Sequence, residues 1–146
     1  YIMKNTLILF AVFCIGLFGS TNAQELENGA KIEFEKDVHD YGTLKQGGNG
    51  VYEFVFTNTG NAPLILSNVK GSCQCTVPSW PKEPIAEGKS AVITVKYNTD
   101  RVGAINKSVT INSNAVNEPT KVIRIKGNVE AVSSGIPENT SGPAQN

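Results

Sequence analysis

The chain's 146 residues fit one ordinary domain. Its 13 Lys and Arg balance 13 Asp and Glu, which excludes the clustered positive charge of a nucleic-acid or polybasic membrane-surface binder. A 40% hydrophobic share is enough for a packed core, while one His, one Trp and three Cys leave few groups for catalysis or metal binding.

Lys4 is the only charge before Glu25 and stands just ahead of an apolar run from Leu7 to Phe18. A basic start, an apolar run of about 7–15 residues and a small-residue exit make a secretory signal. The run is shorter than the roughly 20 residues of a spanning helix. Thr21 and Ala23 suit cleavage before Gln24, so residues 1–23 read as a signal peptide, with Met3 as the translation start. Cys14 follows bulky Phe13 rather than the small residue of a lipoprotein site, and reads as part of the signal core. The mature chain then carries 12 basic against 13 acidic residues and no membrane span. It is expected in the periplasm, on the cell surface or outside the cell, where disulfides persist.

Residues 24–30 form a polar lead-in. Ile32-Glu33-Phe34-Glu35 alternates apolar and acidic side chains, the period-2 mark of a half-buried strand. Val38 to Gly42 continues it toward a polar turn over 45–50. Val51 to Thr57 predicts a strand with Tyr52, Phe54 and Phe56 on its core face. Asn58-Thr59-Gly60-Asn61 is a turn, since Gly and Asn tolerate positive φ. Pro63 to Val69 predicts a strand with Leu64, Leu66 and Asn68 opposed to Ile65 and Val69.

Between Val77 and Pro84 the prolines deny ladder donors, which makes this stretch a loop or a sheet edge. Ala91, Ile93, Val95 and Tyr97 then share one face of a strand. Ile105, Val109 and Ile111 point inward in the next, and Ile123, Ile125 and Val129 in the last. No segment of the mature chain shows a helical period. From residue 131 to 146, Ser, Gly, Pro, Asn and Thr predict a disordered tail.

About seven short strands over about 100 residues predict an all-β, immunoglobulin-like antiparallel β-sandwich spanning 31–130. The cysteine pair that staples the two sheets of antibody domains is missing, because Cys73 and Cys75 lie two residues apart.

His39-Asp40-Tyr41-Gly42, Phe56 to Leu64 (FTNTGNAPL) and Cys73 to Pro78 (CQCTVP) are similar to the bacterial secreted family known as domain of unknown function 1573. Tyr97-Asn98-Thr99 and Lys126-Gly127-Asn128 match it as well, so the resemblance runs from Ile32 to Val129. Two positions depart from the family pattern: Tyr41 stands where Phe is common, and Gln74 where Gly is common. Gln74 removes backbone freedom between the cysteines. Members resemble the immunoglobulin-like domains of sperm proteins and cilium-associated proteins, so the resemblance implies a sandwich used for binding rather than catalysis.

Candidate chemistry reduces to Cys73, Cys75 and His39. In an extended strand the two cysteine Cα atoms would sit about 6.5 Å apart, and a disulfide takes about 4.4–6.8 Å, so a bend favours the bridge. The pair reads as a local structural disulfide, as a reducible redox pair, or as two thiolates for copper or zinc with His39 as third ligand. The structural reading leads. His39 and Asp40 are adjacent and point to opposite faces of a strand, a poor geometry for an oriented imidazole. There is no nucleophile elbow, Walker loop or paired-histidine motif. Trp80 between Ser79 and Pro81 reads as core cover.

The expectation is a non-catalytic exported binding module of the bacterial cell envelope, without cofactor. It would engage another envelope protein or a glycan, and not nucleic acid, through edge strands and loops. The alternative is a redox-active or metal-handling protein centred on Cys73 and Cys75.

Overall fold

The computed structural model describes residues 28–133. The expected signal peptide, most of the lead-in and most of the tail lie outside the described residues. Eight strands follow in chain order: β1 (Ile32–Phe34), β2 (Val38–Lys45), β3 (Val51–Asn58), β4 (Leu66–Gly71), β5 (Thr76–Ser79), β6 (Ser90–Tyr97), β7 (Gly103–Ser113) and β8 (Thr120–Glu130). They build two four-stranded sheets, in the orders β1-β3-β6-β5 and β2-β8-β7-β4. No helix occurs among the described residues.

The sandwich has one strand more than the seven expected, because the first alternating segment splits. Ile32–Phe34 pairs antiparallel with β3, and the chain then crosses at Glu35–Asp37 to run parallel to β8 on the other sheet. That is the single parallel pairing among the described strands; all others are antiparallel.

The core lies between the sheets. Phe54, Phe56, Ile93 and Val95 from one meet Val109, Ile111, Ile123 and Ile125 from the other, each at most 1% exposed. Burying each such side chain contributes about 1.5–3 kcal/mol, and their alternation with exposed partners is what fixes strand register. Tyr52 lies on the same face as Phe54 and Phe56 but is only half-buried.

One inward face differs from strict alternation. Leu64, Leu66 and Val69 are all buried. Leu66 faces Ser113 and Asn68 faces Asn112, so Ser67 is an extra residue in β4, and its hydroxyl donates to the Asn112 carbonyl at 3.1 Å. This bulge restores Val69 to the core.

The chain's own groups meet parts of the sheet edges. Asn117 accepts the Ile32 N–H at 3.0 Å and donates to the Ile32 carbonyl at 2.9 Å, standing in for a strand beside β1. Asn114 does the same ahead of β4, accepting from Ile65 N–H at 2.8 Å and donating to the Pro63 carbonyl at 3.0 Å. The edge strand β5 contains Pro78, so the proline stretch begins as a sheet edge. Along β2 the ladder is broken between Asp40 and Thr43, and the Asp40 carboxylate accepts the Gly42 N–H at 2.8 Å. Gly42 has φ 62°, and Gly127 opposite it has φ 149°. A Cβ on Gly127 would stand 2.8 Å from the Gly42 carbonyl oxygen, so only glycine lets the two backbones approach there.

Candidate functional site

Three turns gather at the end of the sandwich where β2, β4, β6 and β8 finish: residues 46–50, 72–75 and 98–102. In the middle turn, Cys73 and Cys75 lie at disulfide distance with Cα atoms 5.2 Å apart. The chain bends there rather than running extended. Thr76 N–H donates to the Cys73 carbonyl at 3.2 Å, and Asn98 N–H to the Cys75 carbonyl at 2.9 Å. No non-glycine residue of the described chain has positive φ, so the turn closes with Gln74 at its tip and needs no glycine there.

The disulfide turn separates two clefts. The larger, about 770 Å³, is lined by the Gly47–Val51 turn, Gln74, Cys75, Lys96 and Asn98 to Asp100, among others. The smaller, about 370 Å³, lies on the other side against Val69 to Cys73 and Pro78. Gln74 and Val77 line both. Cys75 is 6% exposed, while Cys73 is half-buried. Thr76, 2% exposed, sets its hydroxyl oxygen 3.6 Å from the Cys73 sulfur and 3.9 Å from that of Cys75.

The larger cleft opens onto the outer face of the first sheet. Register places Val51 and Val77 on either side of Lys96 in one cross-strand row. Val51 is 41% and Val77 59% exposed. Lys96 enters none of the ion pairs formed among the described residues. The result is a cation set between two exposed aliphatic side chains at the mouth of a cleft. Sequence alternation marks Val51 and Lys96 as outward-facing and leaves Val77 in a proline-rich loop or sheet edge; the pairing of β3, β6 and β5 puts all three side by side.

His39 lies elsewhere. It is on β2, at the edge of its sheet opposite β4, whereas the cysteines follow β4. The ligand set Cys73, Cys75 and His39 is therefore not brought together. Among the described residues no three His, Cys, Asp or Glu side chains gather to hold a metal ion. His39 points inward and stacks on Tyr52 of the facing sheet, with centroids 3.5 Å apart and planes at 10°. Tyr41 meets its edge at 4.5 Å. Burial, reinforced by Lys36, lowers the His39 pKa, against a smaller opposite effect of Asp40. Asp40 faces outward toward Lys126 at 3.4 Å. Burial and Tyr52 push the Tyr41 phenol up to about 12. It therefore stays protonated and donates to the Gly50 carbonyl at 2.8 Å, fastening β2 to the glycine turn of the larger cleft. Trp80 packs half-buried against the core, with the Lys82 ammonium 3.0 Å above its ring.

The fold is an immunoglobulin-like β-sandwich of two four-stranded sheets. The chain belongs to the family described as protein of unknown function (DUF1573), whose model matches residues 32–129. A protein of unknown function from Porphyromonas gingivalis W83 superposes with a TM-score of 0.62 at 19% identity, covering 73% of this chain and 50% of that one. This chain thus spans about half the length of that protein. The ASH/PapD-like domain 7 of human CEP192 gives 0.55 at 14% identity, covering 70% of this chain and 87% of that one. The YadV chaperone gives 0.51 at 11% identity, covering 70% and 54%. At these identities the likeness concerns the fold. No curated protein matches the chain.

Proposed function

We propose that this chain is a non-catalytic, exported interaction module of the bacterial cell envelope whose partner is another protein. The observation that carries the reading is the contrast between edges and end. Asn117, Pro78 and the β2 bulge interrupt three of the strand edges through which β-sandwiches add a foreign strand. The disulfide end instead offers two clefts and the exposed Val51–Lys96–Val77 row. Loops held on a rigid scaffold are where such domains carry recognition. The partner docks there, not along an edge strand. Export rests on the Lys4 and Leu7–Phe18 pattern. The chaperone and ASH-domain likenesses support a binding use of this fold.

Capture from the envelope fraction of producing cells tests the reading. Wild type is compared with a Val77→Asp/Lys96→Glu variant, both substitutions lying on the exposed outer face. Equal unfolding midpoints with a partner retained only by wild type are expected. A partner retained equally by both, or a mature protein found only in the cytoplasm, would contradict the reading.

A further inference from the structure

The cysteine turn carries chemistry that a mere brace does not need. The two cysteines line different clefts, Cys75 the larger and Cys73 the smaller. Cys73 is half-buried at an open surface, whereas Cys75 is 6% exposed. The buried Thr76 hydroxyl has the two sulfurs as its only hydrogen-bond contacts among the described residues. Disulfide sulfur carries no hydrogen and accepts weakly, so the hydroxyl is the donor in these contacts and would bond more strongly to a thiolate.

We propose that Cys73 and Cys75 form a thiol–disulfide exchange site for a thiol-bearing protein or peptide, with Thr76 as donor to the released thiolate. The incoming thiolate attacks Cys73, the sulfur reachable from the smaller cleft. A bond forms between the incoming sulfur and Cys73 Sγ as the Cys73–Cys75 bond breaks, and its electron pair leaves on Cys75. Burial opposes a charged Cys75 sulfur; the Thr76 O–H, 3.9 Å away, closes on it and offsets that cost. A second thiol of the same substrate loses its proton, which Cys75 takes up. It attacks the substrate sulfur of the mixed disulfide and releases Cys73 as a thiolate, which is protonated in turn. The substrate dithiol gives up two electrons and two protons, and the cysteine pair takes up both. This exchange is stoichiometric, since it leaves the cysteine pair reduced, and it is independent of the non-catalytic docking reading because it needs only a thiol that fits the smaller cleft.

Reduced glutathione tests the site on the full chain, a second glutathione molecule supplying the resolving thiol, with alkylation and peptide mass mapping separating the pair from Cys14. Reduction of the pair is expected, slowed about tenfold or more in Thr76→Val and preserved in Thr76→Ser, as loss of a hydrogen bond to a charged group implies. In single-cysteine variants treated instead with oxidised glutathione, whose disulfide the protein thiolate attacks with release of one glutathione thiolate, Cys73 of Cys75→Ser should form the adduct about tenfold faster than Cys75 of Cys73→Ser, following exposure. A pair that resists millimolar glutathione would overturn the proposal. So would equal rates in Thr76→Val and wild type, or faster adduct formation at Cys75. None of these outcomes touches partner capture, so the two readings fail separately.

Discussion

Asn117 satisfies both backbone groups of Ile32, its amide oxygen 3.0 Å from the N–H and its amide nitrogen 2.9 Å from the carbonyl oxygen. One side chain from the β7–β8 turn thus completes the outer edge of β1, a strand only three residues long. Without it that edge would present a donor and an acceptor to any passing chain. Asn117→Ala should lower stability by about 1–2 kcal/mol, the worth of two exchanged hydrogen bonds, and should promote self-association. Denaturant unfolding and size-exclusion chromatography check both. An unchanged midpoint would show that water replaces the side chain without loss.

Asn58 uses its whole amide. Its oxygen accepts from Lys31 N–H at 3.3 Å and Gly60 N–H at 3.0 Å; its nitrogen donates to the Ala62 and Ile85 carbonyls at 2.8 and 2.9 Å. The residue is fully buried. Asn58→Ala should therefore cost about 3 kcal/mol or more, since several buried groups lose their partner at once. Asn58→Asp places a carboxyl against two carbonyl oxygens without solvent, which raises its pKa in the folded state. Stability of that variant should rise as pH falls toward 5, because the folded protein then binds the extra proton. A flat pH profile would contradict the assignment.

His39 gives the opposite slope. Burial holds its folded-state pKa below 6.5, so it stacks neutral on Tyr52. The unfolded chain binds more protons in the window below 6.5, so stability is full above that value and declines as pH falls through it. The side chain is only partly buried, and the loss should stay under about 1 kcal/mol. Comparing unfolding midpoints at neutral and mildly acid pH in wild type and His39→Gln checks this. The variant should lack that part of the slope.

Gly127→Ala should destabilise by about 1–3 kcal/mol, because its φ of 149° and the Gly42 carbonyl at 2.8 Å both exclude a side chain. A thermal unfolding midpoint equal to wild type would show that β2 yields freely at its bulge.

Period-2 alternation made much of this sandwich legible. Ile93, Ile111, Ile123 and Ile125 are inward between neighbours in sequence that are polar or exposed, and Phe54 and Phe56 flank the less buried Val55. The turn chemistry of Asn58 to Asn61 was also readable, but the burial of Asn58 was not. An asparagine that closes a turn and one that serves four backbone groups look alike until the strands around it are paired. The Ser67 bulge was hidden for the same reason, since only the position of Asn112 opposite shows which residue is extra. Cys73 and Cys75 stood out by spacing alone. Their companions at that end, Thr76, Val51, Lys96 and Val77, come together through sheet register across three separate stretches of chain. His39 entered only the metal alternative, as the single histidine available for a third ligand. Its neighbour in space is Tyr52, on the other sheet.

Site-specific photo-cross-linking in producing cells tests the central claim most directly. A photoreactive residue replaces Gln74 at the disulfide tip or, as control, Asn61 at the opposite end of the sandwich. Loops at the disulfide end are the docking surface in this account, so Gln74 should give one discrete protein adduct that Val77→Asp/Lys96→Glu abolishes, and Asn61 should give none. An adduct at Asn61 with none at Gln74, or a Gln74 adduct indifferent to the double substitution, would contradict it.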